Sequence, residues 1–505
     1  MLLHNPFCTS GLNTPNHALD RATGRSDEAV LKLSRRRFLQ GSAAGFLASG
    51  LGALATTVEH AQAQTPQSGR ILLKGGTVVT VDRALGDLAQ GDVLIEGERI
   101  AAIGPNLAAG GADVIDAADM IVMPGFIDSH RHMWEGAIRN LIPDGTLRDY
   151  LGLILGKYGP NYRPDDVYIG DLVSALSALD AGITTVVDWS HIQQTPAHTD
   201  AAIKALQESG IRSMFGYGFP LGKPWWMDAG HHQFPQDIKR LRKQYFSSED
   251  QLLTLALAAT AGFGNIDVAA REWSAARKVG ARVTVHASGK DQLVKMSKAF
   301  KLGPDTTYVH CGGYGADDWK LMKDSGGSYS VSPGTEMLMD ITMPLIQAAL
   351  DAGVRPTLSI DAETNVPTTM FAQIQLCLAA QRVVLTQRKA QGEKDLPKMI
   401  SARDVIEFAT IEGAKACGLE NRTGSLTVGK QADVILLRKN AINVMPVNNP
   451  LAAITLGMDS ANVDTVFVAG KVKKRNGQLV GVDLKRVADL AGQSRDYLVS
   501  KVKAG

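Results

Sequence analysis

One stretch constrains the fold of this chain more than any other, because it begins as a buried strand and ends in two histidines. The apolar residues 120–122 predict a strand, Pro124 and Gly125 kink it, and His130 and His132 follow at spacing i, i+2. Alternate residues of an extended segment face the same way, so both imidazoles can reach one metal ion. An isolated H-x-H motif is a weak indication, since two exposed histidines that bind nothing are the commoner interpretation.

Three more side chains that can bind metals follow short β-branched runs elsewhere in the chain. They are His286 after residues 282–285, His310 after residues 306–309, and Asp361 after residues 357–360. In a (β/α)8 barrel, the C-terminal ends of the strands form the rim on which active sites are built. The repeated placement of such residues at strand ends predicts a metal site.

The alternation of strands and helices predicts the architecture that this rim requires. Candidate barrel strands are residues 121–128, 183–188, 211–217, 252–259, 282–287, 306–310, 327–331 and 355–360. Helical patterns fall between them, such as residues 200–208, which Gly210 closes. Eight strands in βα order predict an α/β fold with a TIM-type (β/α)8 barrel.

Both flanks of the barrel contain short strands separated by turn residues. Residues 70–119 carry four such runs, and residues 432–437 and 463–468 repeat the pattern. A small β-sandwich built from both ends of the chain is therefore expected. The predicted domains are an export signal (1–63), the first part of the β-sandwich (64–120), the barrel (121–425), the second part of the β-sandwich (426–482) and a C-terminal helix (483–505).

The N-terminal segment predicts export. Residues 34–40 read Ser-Arg-Arg-Arg-Phe-Leu-Gln, a weakly apolar run follows from Gly41 to Thr57, and Ala61-Gln62-Ala63 resembles a cleavage site. This order is typical of a twin-arginine signal, with cleavage near Ala63. We expect a periplasmic protein that the twin-arginine export machinery carries in folded form and that has no stable membrane anchor.

Charge and cysteine content exclude other classes of protein. Removing the six basic and four acidic side chains of residues 1–63 from the totals of 53 and 51 leaves 47 of each. This balance gives no support for nucleic acid as a partner. The four cysteines show no C-x-x-C pairing, so neither a disulfide framework nor a cysteine zinc site is indicated.

These motifs together resemble those of the metal-dependent amidohydrolase superfamily, in the branch that contains cytosine deaminase and the triazine hydrolases. The matching segments are residues 124–132, 285–287, 309–311, 360–361, 409–414 and 424–433. The resemblance covers essentially all of residues 70–480. It implies a small-molecule substrate and is compatible with a homo-oligomer.

The resemblance implies one divalent metal ion, Zn²⁺ or Fe²⁺, bound by four side chains, with a fifth beside them. The implied ligands are His130, His132, His286 and Asp361. Asp361 would act as general base and His310 would hydrogen-bond the attacking water. Members with two metals bridge them with a carboxylated lysine from the fourth strand, and residues 252–264 contain no lysine. A mononuclear site is therefore expected.

The segment after the fifth barrel strand departs from the pattern of the deaminases in this branch. They usually carry H-x-x-E, whose glutamate protonates the ring nitrogen of the substrate. Here the residues are His286-Ala287-Ser288-Gly289, with glycine in place of the acid. Hydrolysis of an amide, carbamate or urea needs no ring protonation, because Asp361 can protonate the leaving amine alone.

We therefore expect a metal-dependent hydrolase of non-peptide carbon–nitrogen bonds that acts on a small, aromatic amide, carbamate or urea. A hydrolytic deaminase or dehalogenase of a heteroaromatic ring is the alternative. A non-catalytic barrel used for binding is disfavoured, because such relatives typically lose metal ligands.

Several residues near the predicted rim are candidates for substrate contacts. They are His191, Trp134, Trp225, Trp226 and Glu363. Aromatic side chains in loops over the rim suit an apolar or aromatic substrate, although ordinary packing under a loop explains them slightly better. Glu363 could replace the acid missing at Gly289, and a solvated loop carboxylate is the competing interpretation.

Overall fold

A computed structural model describes residues 69–221 and 234–504. The predicted export signal, Trp225 and Trp226 lie outside the described residues. Within them the strands are β1 Arg70–Val78, β2 Leu88–Glu96, β3 Arg99–Gly104, β4 Asp113–Asp116, β5 Met120–Pro124, β6 Phe126–Arg131, β7 Ile183–Ser190, β8 Arg212–Tyr217, β9 Leu253–Ala259, β10 Arg282–Ser288, β11 Thr306–Gly312, β12 Ser328–Val331, β13 Pro356–Leu358, β14 Val434–Arg438, β15 Val463–Val468, β16 Lys471–Arg475 and β17 Gln478–Leu479.

The helices fill the intervals between the strands. The α-helices are α1 Leu147–Asp149, α2 Pro164–Asp180, α3 Pro196–Ser209, α4 Ile238–Gln244, α5 Ile266–Lys278, α6 Gln292–Ala299, α7 Ala316–Ser325, α8 Pro333–Leu338, α9 Ile346–Asp351, α10 Met370–Ala390, α11 Ala402–Phe408, α12 Ile411–Cys417, α13 Pro450–Ala452 and α14 Leu484–Ala504. Segments Tyr150–Tyr158 and Ala453–Gly457 are π-helical, and short 3₁₀ helices span Met133–Ile138, Gly159–Asn161, Ala261–Gly264 and Ser460–Asn462. None of the described helices is both long and apolar enough to cross a lipid bilayer.

Eight parallel strands, β6 to β13, pair in chain order and form the predicted barrel. Main-chain hydrogen bonds join its two ends, because Asp361 N donates to His130 O over 2.9 Å and His132 N donates to Asp361 O over 3.1 Å. The barrel class is confirmed. Seven of the predicted barrel strands agree with the observed ones to within two residues at each end.

The first predicted barrel strand, 121–128, is wrong in one respect, because the structure divides it at Gly125. The part before Gly125 is β5 and belongs to another sheet, and the part after it is β6. A Cβ at Gly125 would lie 2.2 Å from the Thr184 side chain, so only glycine allows this close approach. The amide of Gly125 donates to the carbonyl of Asp433 over 3.0 Å, which fixes the junction.

The second sheet draws strands from both ends of the chain, as predicted. Its order is β17-β16-β15-β14-β5-β1-β2-β3, with β4 paired to β1. Apolar residues of both halves share one buried cluster that includes Leu73, Val93, Val122, Leu436 and Phe467. The barrel and this sheet are joined by a buried ion pair in which Arg212 Nε and Nη2 donate to the two carboxylate oxygens of Asp433 over 2.6 and 3.0 Å.

Candidate functional site

The four predicted ligand side chains meet at the C-terminal rim of the barrel. His130 lies in β6 and His132 just after it, His286 lies in β10, and Asp361 follows β13. Asp361 Oδ1 lies 3.0 Å from His130 Nε2 and 3.1 Å from His132 Nε2. His286 Nε2 lies 3.1 Å from His130 Nε2. Each residue offers one ligand atom, and these atoms lie within 4.8 Å of one another, so we call these four residues the ligand cluster.

The pKa values of three members of the ligand cluster favour the forms that bind a metal. His132 differs, because burial alone would lower its pKa but the hydrogen bond to Asp361 and the charge of Asp361 raise it. Burial lowers the pKa of His130 to about 4, and burial with the neighbouring imidazoles holds the pKa of His286 well below its usual value. Burial alone would raise the pKa of Asp361, but the imidazoles of His130 and His132 hold it well below its usual range. Neutral imidazole and charged carboxylate are the forms that bind divalent ions.

The donor set itself fits a metal ion. Two imidazole nitrogens that face each other at 3.1 Å need a proton or a cation between them, and burial disfavours the extra proton. Three nitrogens and one carboxylate oxygen are ligands that suit Zn²⁺ or Fe²⁺. We conclude that the ligand cluster fits one divalent ion.

Neighbouring groups orient the imidazoles. His132 Nδ1 donates to the carbonyl of Trp189 over 2.9 Å, which leaves Nε2 for the cluster. His310 Nδ1 lies 3.1 Å from Glu336 Oε1, and His310 Nε2 lies 3.5 Å from Asp361 Oδ2. Burial alone would lower the pKa of His310, but the hydrogen bond to Glu336 and the charge of Asp361 raise it. Asp361 therefore turns Oδ1 toward the ligand cluster and Oδ2 toward the imidazole of His310.

Backbone strain concentrates at the same place. His310 and Asp361 have φ angles of 68° and 74°, in the left-handed region that non-glycine residues rarely adopt. Such conformations are retained where the surrounding structure fixes them, and they cluster at functional sites. The main-chain hydrogen bonds of residue 361 to β6 supply that constraint here.

A cavity of about 730 Å³ opens onto the cluster. His132, His286, His310 and Asp361 form its polar end. Most of the remaining wall is apolar and includes Leu147, Leu151, Leu155, Leu221, Met339 and Ile341. A cavity of this size and character suits a small apolar or aromatic compound.

Two of the predicted substrate contacts form one pair, of which only one member reaches the cavity. His191 lines the cavity, and its ring lies 4.2 Å from that of His132. Trp134 is fully buried and is not part of the cavity wall; its Nε1 donates to His191 Nδ1 over 3.4 Å. The substrate contact predicted for Trp134 is therefore wrong, because the indole packs behind His191 and supports it.

Glu363 does not line the cavity either. It is fully buried, and its Oε1 accepts a hydrogen bond from Arg131 Nε over 2.7 Å and another from Ser174 Oγ. Its Oε2 accepts from Arg139 Nη2 over 2.7 Å. Burial would raise the pKa of Glu363, but the two arginines outweigh burial and lower it. Glu363 is neither a substitute for the missing acid nor a solvated loop carboxylate, since ion pairs occupy both oxygens.

Gly289 leaves no acid in the place where the deaminases carry one. Its φ angle is 89°, a conformation in which a glutamate would be strained, although a Cβ there would meet nothing within 4 Å. Among the described residues that line the cavity, Asp361 is the only carboxylate. The described part of the site therefore has one acid–base carboxylate rather than two.

Sequence reasoning missed the contact of Glu336 with His310. Glu336 lies in α8, which follows β12, and it is fully buried. Its Oε1 also accepts from the backbone amide of Ser332 over 3.0 Å. The available signal was an acid in the first helical turn after a predicted barrel strand.

Comparisons with known proteins agree with this geometry. The model of the amidohydrolase family matches residues 121–473. A 5'-deoxyadenosine deaminase from Methanosarcina acetivorans is 25% identical over 448 residues, which cover 86% of this chain and 99% of that protein.

Two solved structures share the fold. Atrazine chlorohydrolase from Arthrobacter aurescens, complexed with zinc, aligns with a TM-score of 0.73 at 22% identity and covers 84% of this chain and 100% of that one. An adenosine deaminase from Xanthomonas campestris with bound zinc aligns with a TM-score of 0.74 at 20% identity, over 85% and 98% of the two chains.

An eight-stranded parallel barrel with three histidines and an aspartate at its C-terminal rim defines a metal-dependent hydrolase. The match over residues 121–473 narrows this class, and the chain belongs to the amidohydrolase family. It is an enzyme that acts on carbon–nitrogen bonds other than peptide bonds, and its ligand cluster provides the site for a divalent metal cofactor.

Proposed function

We propose that the protein hydrolyses the carbon–nitrogen bond of a small aromatic amide, carbamate or urea. The observation that carries this proposal is the single carboxylate, Asp361, in the described wall of the cavity. Ring deamination by the route of the related deaminases uses a second acid to protonate the ring. Cleavage of an amide-type bond needs one group that takes a proton from water and returns it to the amine.

A divalent ion bound by the ligand cluster supplies Lewis-acid activation of water. Asp361 Oδ2, the oxygen turned away from His130 and His132, takes one proton from that water. The water oxygen forms a bond to the carbonyl carbon and the C–N bond breaks. Asp361 then returns the proton to the leaving nitrogen, so that water is consumed and an amine and an acid are released.

His310 stabilises the charge that develops on the carbonyl oxygen. Glu336 holds its Nδ1 at 3.1 Å, so Nε2 faces the cavity and Asp361. The raised pKa of His310, in which the hydrogen bond to Glu336 and the charge of Asp361 outweigh burial, favours the cationic form. A cationic donor at this place strengthens as the oxygen becomes negative.

A second candidate is hydrolytic deamination or dehalogenation of a heteroaromatic ring. The names of the relatives support it, since one is a 5'-deoxyadenosine deaminase and another an atrazine chlorohydrolase. Gly289 supplies no acid, so among the described residues that line the cavity the proton for the ring would come from an imidazole such as that of His310. That requirement makes it the less favoured reaction.

Product identification by mass spectrometry separates the two reactions. Zinc-loaded protein is incubated with a panel of aryl amides, carbamates, ureas and amino- or chloro-heteroaromatics, with Asp361→Asn as the inactive control. An amine with its acid or carbonate partner supports the proposal. Release of ammonia or chloride from a ring, with no amide-type hydrolysis, contradicts it and supports the second candidate.

We also propose that the protein is exported to the periplasm by the twin-arginine machinery. The support is the sequence of residues 34–40 and the small-residue site at 61–63. The double variant Arg35→Lys, Arg36→Lys should keep the protein in the cytoplasm with residues 1–63 attached. Cell fractionation with N-terminal sequencing tests this, and periplasmic processing of the double variant would contradict it.

A further inference from the structure

A second space, which we call the side chamber, adjoins the main cavity. It has a volume of about 420 Å³. The two spaces share the wall residues Phe219, Phe263, His286 and Ser288. Because the metal-ligand candidate His286 borders both, a substrate held at the ligand cluster can extend into the side chamber.

The side chamber differs from the main cavity in charge. Lys290 and Lys295 line it, and no aspartate or glutamate belongs to its described lining. Within residues 69–221 and 234–504, neither lysine takes part in an ion pair. Two ammonium groups without an acidic partner face a space that already opens onto the reaction centre.

The lysines stand on a fixed segment. Lys290 precedes α6, and Gln292, Lys295 and Met296 lie on the one face of that helix that lines the side chamber. Asp318 accepts hydrogen bonds from the amides of Asp291 and Leu293 over 2.8 and 2.9 Å, which ties down the turn into the helix. This attachment fixes the position of Lys290 relative to His286, which lies four residues before it in the chain.

Gln292 adds one more donor to the two lysines of the side chamber. Gln292 Oε1 accepts from Tyr314 Oη over 2.7 Å, so the amide NH₂ is the group that the side chain has left to offer. On the opposite wall, Thr260 Oγ1 donates to Glu272 Oε1 over 2.6 Å, and the Thr260 amide donates to Oε2 over 3.1 Å. Glu272 is fully buried and does not line the side chamber, and its carboxylate accepts from both the hydroxyl and the amide of Thr260.

From these contacts we propose that the side chamber binds a carboxylate of the substrate. This inference rests on the proposed function, and it narrows the substrate to an aryl amide, carbamate or urea that carries an anionic group on the side opposite the aromatic ring. The apolar main cavity receives the ring, and Lys290, Lys295 and the Gln292 amide receive the charge.

A pair of substrates that differ in one terminal group tests the proposal by turnover. Succinyl and butyryl 4-nitroanilide differ by a carboxylate in place of a methyl group, and both release 4-nitroaniline. Wild-type enzyme should show a kcat/KM about tenfold higher for the succinyl compound, as two ion pairs at a partly exposed site allow. An equal or higher value for the butyryl compound would overturn the proposal.

Matched variants identify the groups responsible. In the double variant Lys290→Met, Lys295→Met, the ratio should fall to about one while the butyryl value stays within about twofold. Lys298→Met removes an exposed lysine of the same helix that does not line the side chamber and should leave the ratio unchanged. Lys290→Arg with Lys295→Arg should retain the preference. If the double methionine variant keeps the preference for the succinyl compound, the proposal is wrong.

A binding measurement keeps this inference separate from the proposed reaction. If neither anilide is hydrolysed, the reaction class is at fault, and calorimetry with the same two anilides then decides the side chamber. The succinyl compound should bind wild-type protein about tenfold more tightly than it binds the double methionine variant, whereas the butyryl compound should not distinguish them. Equal affinities of the succinyl compound for the two proteins would overturn the proposal.

Discussion

Asp361 and Glu363 are two residues apart, and their surroundings are opposite. Asp361 lies among imidazoles and faces the cavity, with His130 and His132 at 3.0 and 3.1 Å. Glu363 lies outside the cavity with Arg131 and Arg139 each at 2.7 Å. The first carboxylate keeps one oxygen available for chemistry, whereas the second has both oxygens occupied. A buried acid near a reaction centre is thus functional or structural according to its partners.

Alternation along β6 produces this division. His130 and His132 belong to the ligand cluster, and Arg131 between them pairs with Glu363 and lies 3.6 Å from Asp128. Breaking one partner of a buried ion pair costs about 3–5 kcal/mol, because the other charge stays buried without compensation. We call Arg131, Arg139, Ser174 and Glu363 the arginine network. Substitutions in the arginine network should lower the free energy of unfolding, whereas substitutions in the ligand cluster should lower activity.

The largest effect on activity is expected from a substitution in the ligand cluster. His132→Ala should abolish metal retention and lower turnover by about four orders of magnitude, because the metal supplies the activated water. The free energy of unfolding of the metal-free forms should change far less. Elemental analysis, turnover and urea unfolding of both proteins measure this. A fully metallated, active variant would refute the ligand assignment.

The reverse pattern is expected in the arginine network. Glu363→Gln should lower the free energy of unfolding by about 3–5 kcal/mol, since Arg131 and Arg139 lose their countercharge. The folded variant should still bind one equivalent of metal. Urea unfolding and metal analysis check both statements. Loss of metal with unchanged stability would mean that the two regions are not separate.

Glu336→Gln tests whether Glu336 belongs with the ligand cluster in its effect on activity or with the arginine network in its effect on stability. It removes the charge that holds His310 Nδ1 at 3.1 Å, and outer partners of this kind are worth about 10–100-fold. We expect kcat to fall by that factor while the metal content stays unchanged. Steady-state kinetics on metal-loaded protein are the measurement. Unchanged kcat would place Glu336 in the structural group with Glu363.

The smallest effect is expected at Tyr150, which touches both regions. Its hydroxyl donates to Glu135 Oε1 over 2.5 Å, Glu135 Oε2 accepts from the amide of Glu363 over 2.8 Å, and its ring lines the cavity. Tyr150→Phe removes one hydrogen bond and should cost about 1 kcal/mol of stability. Thermal unfolding measures it. A decrease in the free energy of unfolding as large as that of Glu363→Gln would mean that the Tyr150 hydroxyl is as important for stability as the arginine network.

The sequence predicts the barrel and the meeting of the ligand side chains because both depend on local patterns. β-branched runs form the strands, and parallel strands bring their C-terminal ends to one rim. His286 and Asp361 could be selected for that reason, although 75 residues separate them in the chain. The sequence predicts a kink at Pro124 and Gly125, but not that the two parts of the strand belong to different sheets, since that division depends on the contact with Thr184 on another strand.

The partners of Glu363 lie beyond sequence reasoning for the same reason. Arg131 precedes it by 232 residues, and nothing in either local sequence indicates the pair. Glu363 lies only two residues after Asp361, which suggested that both side chains face the cavity. The chain after β13, however, is not an extended strand. Alternation therefore does not apply there, and the choice between cavity and interior is made by tertiary contacts.

The backbone at Gly289 also bears on how this enzyme can change over time. A glycine codon that ends in A or G becomes a glutamate codon by one base change, so the acid of the related deaminases can be reached by a simple mutation. The φ angle of 89° opposes that step, because a glutamate placed there adopts a left-handed conformation at a cost of about 1–3 kcal/mol. The mutation toward a ring deaminase is therefore simple, but the backbone conformation at residue 289 opposes it. The loop that contains residue 289 would have to change conformation before a glutamate there could act as an acid.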